Sequence, residues 1–462
     1  MTTLAAPATV AELLRRQRAY WATGATRSLD FRLDRLKALQ AAIVKYQAEI
    51  IDAAKQDLGR PEFEGYIEVA VIGELDYVIK HLRRWAKPRK ASIPLSQMPG
   101  SAWVQPEPLG VALIIGPWNY PFQLIISPLM GAIAAGNCAM LKPSELAPAT
   151  SSVLARLIEE TFDPAHVALV EGGVDTAQAL LAEKFDHIFY TGGERVGKIV
   201  MQAAAQHLTP VTLELGGKSP CIIDADVNMD VAARRIVWGK CLNAGQTCVA
   251  PDYLLVDERI KAELVAALQQ RIKDCYGENP AQSPDYSRVV NERQFDRLVG
   301  LLGQGTILAG GDHNRGDRYI APTLMDDISW DAPIMQEEIF GPILPILTYR
   351  DLGDAIANLN QRPKPLALYL FSRDRQVQAQ VLEQTTAGSV CINDVILQIT
   401  VWDMPFGGVG SSGIGAYHGQ YSFDTFSHLK SVLKKPFWLD MDWRYPPYES
   451  KVKLFQKMIG LS

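Results

Sequence analysis

Apolar residues recur at helical spacing between Phe31 and Ile51, interleaved with Arg, Lys and Gln, and the stretch 10–93 reads as helices. No Gly or Pro stands between Ser28 and Leu58, whereas Gly59-Arg60-Pro61 and Pro88 mark breaks. Residues 94–108 are rich in Pro and Ser with alternating apolar positions, the pattern of an edge strand or arm. At Leu109 the pattern changes. Strands are predicted at Val111–Ile115, Cys138–Leu141, Val167–Val170, Asp186–Tyr190 and Val211–Leu215. Helices fall between them, after the turn Gly116–Pro121 up to Ala135, then at Ser151–Thr161, Thr176–Ala182 and Glu194–Gln206. Short apolar strands alternating with helices imply right-handed βαβ units and a parallel sheet covered on both faces. The fold class is therefore α/β, with a doubly wound, Rossmann-type domain that lacks GxGxxG after its first strand. A second α/β region runs from Ser219 to about Ser427, with strands at Cys221–Ile223, Tyr253–Val256, Leu344–Leu347 and Leu366–Phe371 and a helix at Ile260–Cys275.

Leu124–Leu141 is almost wholly apolar, but Ser127-Pro128 and Gly136-Asn137 interrupt it, so a buried helix and strand explain it better than a membrane span. Lys434–Ser462 is aromatic and charged, too polar to span although open to peripheral membrane contact. The 462 residues suggest about three domains. With 46 basic and 51 acidic residues the net charge is −5, which gives no footprint for nucleic acid or an anionic membrane. Six cysteines without CxxC spacing and seven scattered histidines make neither a disulfide framework nor a metal site. Met1–Val10 carries no leader pattern, and an intracellular, reduced, cytoplasmic setting is expected.

Seven segments carry candidate chemistry. Cys248, in Asn243-Ala-Gly-Gln-Thr-Cys-Val, has small and polar neighbours and reads either as a nucleophilic thiol or as a structural cysteine. Cys138, Cys221 and Cys391 sit in apolar strand contexts and read as structural. Glu214, in Leu213-Glu-Leu-Gly-Gly-Lys218, ends a buried strand; it is either a general base with a raised pKa or a strand-edge partner of Lys218. Asn119 lies on the turn after the first strand, where open α/β sheets bind ligands, and its amide could serve an oxyanion or stabilise the turn. Thr191-Gly-Gly-Glu-Arg-Val-Gly-Lys198 opens a helix after a strand, as a pyrophosphate site or a plain cap would. Lys142 and Glu145 could meet ribose hydroxyls or simply pair, and Glu338 and Phe340 offer a ribose partner and a nicotinamide-packing ring or an acidic loop with a core Phe. Five glycines between Gly407 and Gly415 could line a channel, a domain junction or a structural loop.

Taken together and in order, PWNYPF, LKPSELAP, YTGGERVGK, LELGGKSP, NAGQTCVAPDY, EEIFGPILP and PFGGVGSSGIGAYHG resemble the aldehyde dehydrogenase superfamily, over about two thirds of the chain. The tail looks most like the class 3 branch, which includes fatty-aldehyde dehydrogenases. The resemblance implies Cys248 as nucleophile, Glu214 as general base for deacylation and Asn119 as oxyanion donor with the Cys248 N–H. It implies cofactor contacts from Trp118, Lys142, Glu145, Gly192, Gly193, Glu194, Arg195, Val196, Gly197, Lys198, Leu215, Glu338 and Phe340, and substrate contacts from Tyr120 and Phe406. It departs at Gly193-Glu194, where a carboxylate beside the phosphate turn is expected to point outward, and at Gln398, where class 3 relatives often have His.

The implied enzyme oxidises aldehydes to carboxylic acids with NAD, Glu145 disfavouring a 2′-phosphate, although class 3 relatives often accept NADP as well. Medium- to long-chain aliphatic or aromatic aldehydes are the expected substrates, with Trp118, Tyr120 and Phe122 as aromatic support. Two other readings compete: a dehydrogenase that passes the acyl group to coenzyme A, and a catalytically silent protein on this fold. The expected units are 1–90 with 108–211 as the NAD-binding domain, 212–427 as the catalytic domain, and 91–107 with 428–445 as a small β oligomerisation arm. Pairing of 94–108 with a strand near Ser431–Phe437 would make a homodimer.

Overall fold

The computed structural model describes residues 7–461; Met1–Ala6, at the start of the segment read as leaderless, and Ser462 lie outside them. Four helices open the chain: α1 (Pro7–Ala22), α2 (Leu29–Leu58), α3 (Glu62–Val69) and α4 (Val71–Trp85). Ser28 caps α2 by accepting from the Phe31 N–H, and Gly59 ends it in the left-handed region at φ 62°. The helical reading of 10–93 runs too far. Pro88 ends the helices, and β1 (Arg89–Ala91) pairs antiparallel with β2 (Ser101–Pro108).

The first large sheet follows: β3 (Val111–Ile115), α5 (Gln123–Ala135), β4 (Cys138–Lys142), α6 (Pro148–Thr161), β5 (Val167–Leu169), α7 (Val174–Leu181), β6 (His187–Thr191), α8 (Glu194–Ala205) and β7 (Val211–Glu214). Its parallel strands stand in the order β5-β4-β3-β6-β7. Alternate residues of β3 face opposite layers. Val111, Leu113 and Ile115 pack with α1, α7 and α8, while Ala112 and Ile114 pack with α2, α4, α5 and α6. The chain winds outward from β3 through β4 to β5, then returns to β6 on the other side of β3. This reversal opens a crevice beyond the carboxyl ends of β3 and β6, between the turns carrying Asn119 and Gly193.

A second sheet is built from β8 (Pro220–Ile223), α9 (Met229–Cys241), β9 (Tyr253–Asp257), β10 (Thr306–Ala309), β11 (His313–Asn314), β12 (Tyr319–Ile320), β13 (Thr323–Asp326), β14 (Ile343–Tyr349), β15 (Ala367–Phe371) and β16 (Ser389–Ile392). The order is β10-β13-β14-β9-β8-β15-β16, with β10 alone antiparallel and β11-β12 a separate hairpin. The helix at Lys261–Tyr276 agrees with the predicted one.

The chain then returns to the first sheet. β17 (Gly413–Ile414) pairs antiparallel with β7, setting Gly413 opposite Glu214. A Cβ on Gly413, at φ 153°, would stand 2.3 Å from the Leu213 carbonyl oxygen, so this glycine permits the close approach. A boundary at 211/212 therefore cuts β7, and the end of the 212–427 unit belongs beside the first sheet. β18 (Ser427–Lys434) pairs with the whole of β2, completing a three-stranded arm that starts earlier in sequence than Ser431.

Candidate active site

A cavity of about 1010 Å³ fills the crevice and is walled by both large sheets. Of the predicted residues, Trp118, Asn119, Gly192, Gly193, Glu194, Arg195, Glu214, Leu215, Lys198, Cys248, Glu338 and Phe340 line it. Tyr120, Lys142, Glu145, Val196, Gly197 and Phe406 stand off its wall. Tyr120 is buried, its hydroxyl 2.9 Å from Thr247 Oγ1, and Phe406 is buried in a stack with His418. Phe122 is wholly buried. The aromatic support expected from Tyr120 and Phe122 is thus spent on packing, which leaves Trp118 at the cavity, edge-on to Phe340 with ring centroids 5.3 Å apart.

Glu214 ends β7 with its side chain out of solvent, and neither carboxylate oxygen has a hydrogen-bond partner among the described residues. Burial holds its pKa well above the ordinary carboxylate range. The competing pairing with Lys218 is overturned. Lys218 bonds to the Asp252 carboxylate and to the carbonyls of Ile334 at 2.8 Å and Glu337 at 3.0 Å.

Cys248 follows three left-handed residues, Asn243, Ala244 and Gly245, at φ 51°, 52° and 75°. A Cβ on Gly245 would lie 2.3 Å from the Gly341 carbonyl oxygen, so the glycine lets the Glu338–Pro342 loop close onto the cysteine loop. Burial first, then the carboxylates of Glu338 and Glu214, push the Cys248 thiol up to about 12, against hydrogen bonds from its own N–H and that of Val249. Glu338 rests on Gly216, where a Cβ would stand 2.0 Å from its Oε2; burial and Asp252 raise it to about 8. The Asn119 amide donates to the Gln246 carbonyl at 3.1 Å, leaving its second N–H for a ligand.

At the opposite end, α8 begins at Gly193 with no side-chain cap, and nothing lies within 4 Å of a Cβ placed there. The first N–H groups of the helix open here, and Thr191, whose buried Oγ1 has no partner among the described residues, lines the same cradle. Glu194 is half exposed and pairs with Lys198 at 2.6 Å, although both line the cavity, so it does not point clear of it as expected. An open helix N-terminus, an unpartnered hydroxyl and a long cavity ending at a thiol fit a dinucleotide. Lys142 is buried and bonds to Glu145 at 2.8 Å. Gln398 is buried, 3.3 Å from the Tyr369 hydroxyl, and its Oε1 has no partner among the described residues.

Reading along the sequence missed Arg60, Glu64, Glu68 and Gln246, which bond behind the cysteine loop, and Lys240, buried on α9 with an unpartnered ammonium that burial lowers to about 8. Arg60 was legible only as part of a helix break. Its signal is an arginine where the chain turns in between the long α2 and the short α3. The six cysteines are all free, Cys138 and Cys221 buried, Cys391 half-buried on the sheet edge. Among the described residues no helix is long and apolar enough to cross a membrane, and no cluster of His, Cys, Asp and Glu could hold a metal.

Residues 3–432 match the model of the aldehyde dehydrogenase family. The 4,4'-diaponeurosporen-aldehyde dehydrogenase of Staphylococcus aureus is 48% identical over 440 residues, 94% of this chain and 96% of that protein. The dimeric NADP-preferring aldehyde dehydrogenase of Rattus norvegicus is 48% identical over 447 residues, 96% of this chain and 99% of that protein. A structure of the substrate-bound state of Staphylococcus aureus AldH superposes with a TM-score of 0.95 at 46% identity, covering 97% of this chain and 99% of that one.

Proposed function

Because the chain belongs to the aldehyde dehydrogenase family and so oxidises aldehydes to carboxylic acids with NAD(P), we propose that Cys248 is its nucleophile, Glu214 its general base and Asn119 its oxyanion donor. One observation supports this above the rest: Glu214, buried with both carboxylate oxygens unpartnered, stands on the same cavity wall as Cys248 and Asn119.

NAD(P), when bound, would supply the hydride acceptor. Cys248 Sγ gives its proton to water in the cavity and adds as the thiolate to the aldehyde carbon. Asn119 Nδ2 and the Cys248 N–H hold the resulting oxyanion. Loss of hydride from that carbon leaves a thioester on Cys248. Glu214 then takes a proton from water, the hydroxide adds to the thioester carbonyl, the C–S bond breaks to release the acid, and the leaving thiolate takes the proton back from Glu214. The Gly192–Lys198 turn would hold the cofactor phosphates, Glu338 the nicotinamide ribose, and Trp118, Leu215 and Phe340 the ring.

Substrates of this reading are medium- to long-chain aliphatic or aromatic aldehydes, supported by Trp118 and by the relative named for 4,4'-diaponeurosporen-aldehyde. The deciding experiment follows reduced nicotinamide and acid from decanal. One acid per reduced cofactor without coenzyme A supports the reading; a requirement for coenzyme A in equal amount turns it into acyl transfer.

We assign NAD as the preferred cofactor, with Glu145 beside the adenosine ribose. Glu145 is half exposed, so its repulsion of a 2′-phosphate is modest, about 1 kcal/mol at close range. Glu145→Gln is expected to raise kcat/KM for NADP about 5–10-fold with little change for NAD. Equal effects on both would remove Glu145 from the ribose site. We further propose a cytoplasmic homodimer, supported by the relative named as dimeric and by Leu429 and Leu433, exposed on β18 of the arm. Sizing chromatography that gives only monomer would overturn the dimer.

A further inference from the structure

Arg60 and Glu68 are wholly buried, far in sequence from Asn119 and Cys248, and they touch neither the cavity nor solvent. Arg60 Nη1 donates to Glu68 Oε1 at 2.6 Å, and Glu68 Oε2 accepts from the Gln123 N–H at 2.8 Å, where α5 begins. The rest of the guanidinium reaches two loops. Nη2 donates to the Asn119 carbonyl, and Nε to Asn243 Oδ1 at 3.1 Å. Its face lies over the Tyr120 ring, 4.3 Å from the centroid, and the Tyr120 hydroxyl meets Thr247, the neighbour of Cys248. Asn243 Nδ2 closes the bridge, donating to the Asn119 carbonyl at 3.1 Å and to the Gln246 carbonyl at 3.0 Å.

A buried ion pair is poor support for stability, because desolvation offsets most of the attraction. A planar fork that donates to three acceptors on three segments is instead suited to fixing geometry, and lysine cannot reproduce it. The segment it fixes includes the left-handed run Asn243–Gly245, which relaxes to commoner backbone angles if released.

We propose that Arg60, held by Glu68, is a positioning residue that locks the loop carrying Asn119 to the loop carrying Cys248 at the separation oxyanion binding requires. This rests on the assignment of Asn119 as oxyanion donor.

The test is a double-mutant cycle read with decanal and NAD. Arg60→Lys is expected to lower kcat about 10–100-fold, as an ångström-scale misplacement does, with KM for NAD unchanged within about twofold. In an Asn119→Ala background the same substitution should cost less than about twofold more. A folded Arg60→Lys enzyme with parental kcat overturns the proposal, and so does a loss that adds in full to that of Asn119→Ala. If Arg60→Lys does not fold, Glu68→Gln is carried through the same cycle, where a coupled loss supports the lock and an additive one overturns it. Asn119→Ala with parental kcat would remove the oxyanion reading and the lock with it, whereas additivity on top of a damaged Asn119→Ala removes the lock alone.

Discussion

Replacing Cys248 with alanine is expected to abolish dehydrogenase turnover, by about 10⁴-fold or more, while the variant still binds NAD within about twofold of the parent. No other thiol can substitute. Cys138, Cys221 and Cys241 are buried in the core, Cys275 is on the surface, and Cys391 lies on the β16 edge strand rather than on the cavity wall. Reduced nicotinamide formation and cofactor titration by tryptophan fluorescence measure the two halves. Residual turnover within a hundredfold of the parent would remove the thiol from the mechanism. The same residue carries a pH signature. The resting thiol is raised to about 12 by burial and then by Glu338 and Glu214, which holds it as the neutral thiol at pH 7. Alkylation by iodoacetamide in the absence of cofactor should climb about tenfold per pH unit between 7 and 9. Removing the carboxylate with the larger effect, by Glu338→Gln, should speed it above about pH 8, where Glu338 is ionised, and change it little at pH 7. A plateau below pH 8 in the parent would mean that the resting thiol is already activated.

The alternation of apolar strands and helices from Val111 to Glu214 made the first sheet legible, because its strands are buried on both faces and its crossovers are short helices, α5 almost wholly apolar and the later ones amphipathic. The second sheet was harder. Its β10 and β16 strands are edges with partly exposed faces, and α9 reads as a broken apolar run although Asn228 caps it by accepting from Val231. The return of Gly413–Ile414 to β7 could not be read at all, since pairing with a partner 199 residues earlier leaves no local pattern. The site divides in the same way. Cys248, Glu214 and Asn119 stand in short motifs with small or glycine neighbours, and their placement on one cavity follows from strand ends that the pattern located. Tyr120 and Phe406 were misplaced because an aromatic beside a catalytic turn looks the same in sequence whether it faces ligand or core. Arg60 and Glu68 escaped because their partners come from other segments, and only tertiary packing brings a helix break against the Asn119 and Cys248 loops.

Glu214→Gln should separate the two halves of the reaction. Loss of the base leaves thiol addition and hydride loss intact but slows water attack, so reduced nicotinamide should appear as a burst near one equivalent per site, followed by turnover about 10²–10⁴-fold slower than the parent. Mass spectrometry of the quenched variant should find Cys248 carrying the decanoyl group. The absence of a burst, with turnover like the parent's, would take Glu214 out of deacylation. The substitution should also change stability in a direction the geometry dictates. A carboxylate whose folded pKa is raised binds more protons folded than unfolded, so its contribution is favourable below the ordinary carboxylate range and is lost as pH rises toward the raised folded value. The parent therefore carries a penalty at neutral pH that neutral glutamine lacks. Its two oxygens have no partner among the described residues to offset that cost. Glu214→Gln should melt about 1–3 °C above the parent at pH 8, with the gap narrowing as pH falls toward 4.5. A variant that loses turnover yet melts lower at pH 8 would mean that Glu214 is held by partners that the unpaired geometry excludes. A base kept unpaired and ready for water is thus expected to cost stability, and one pair of melting curves measured at two pH values reads out that cost.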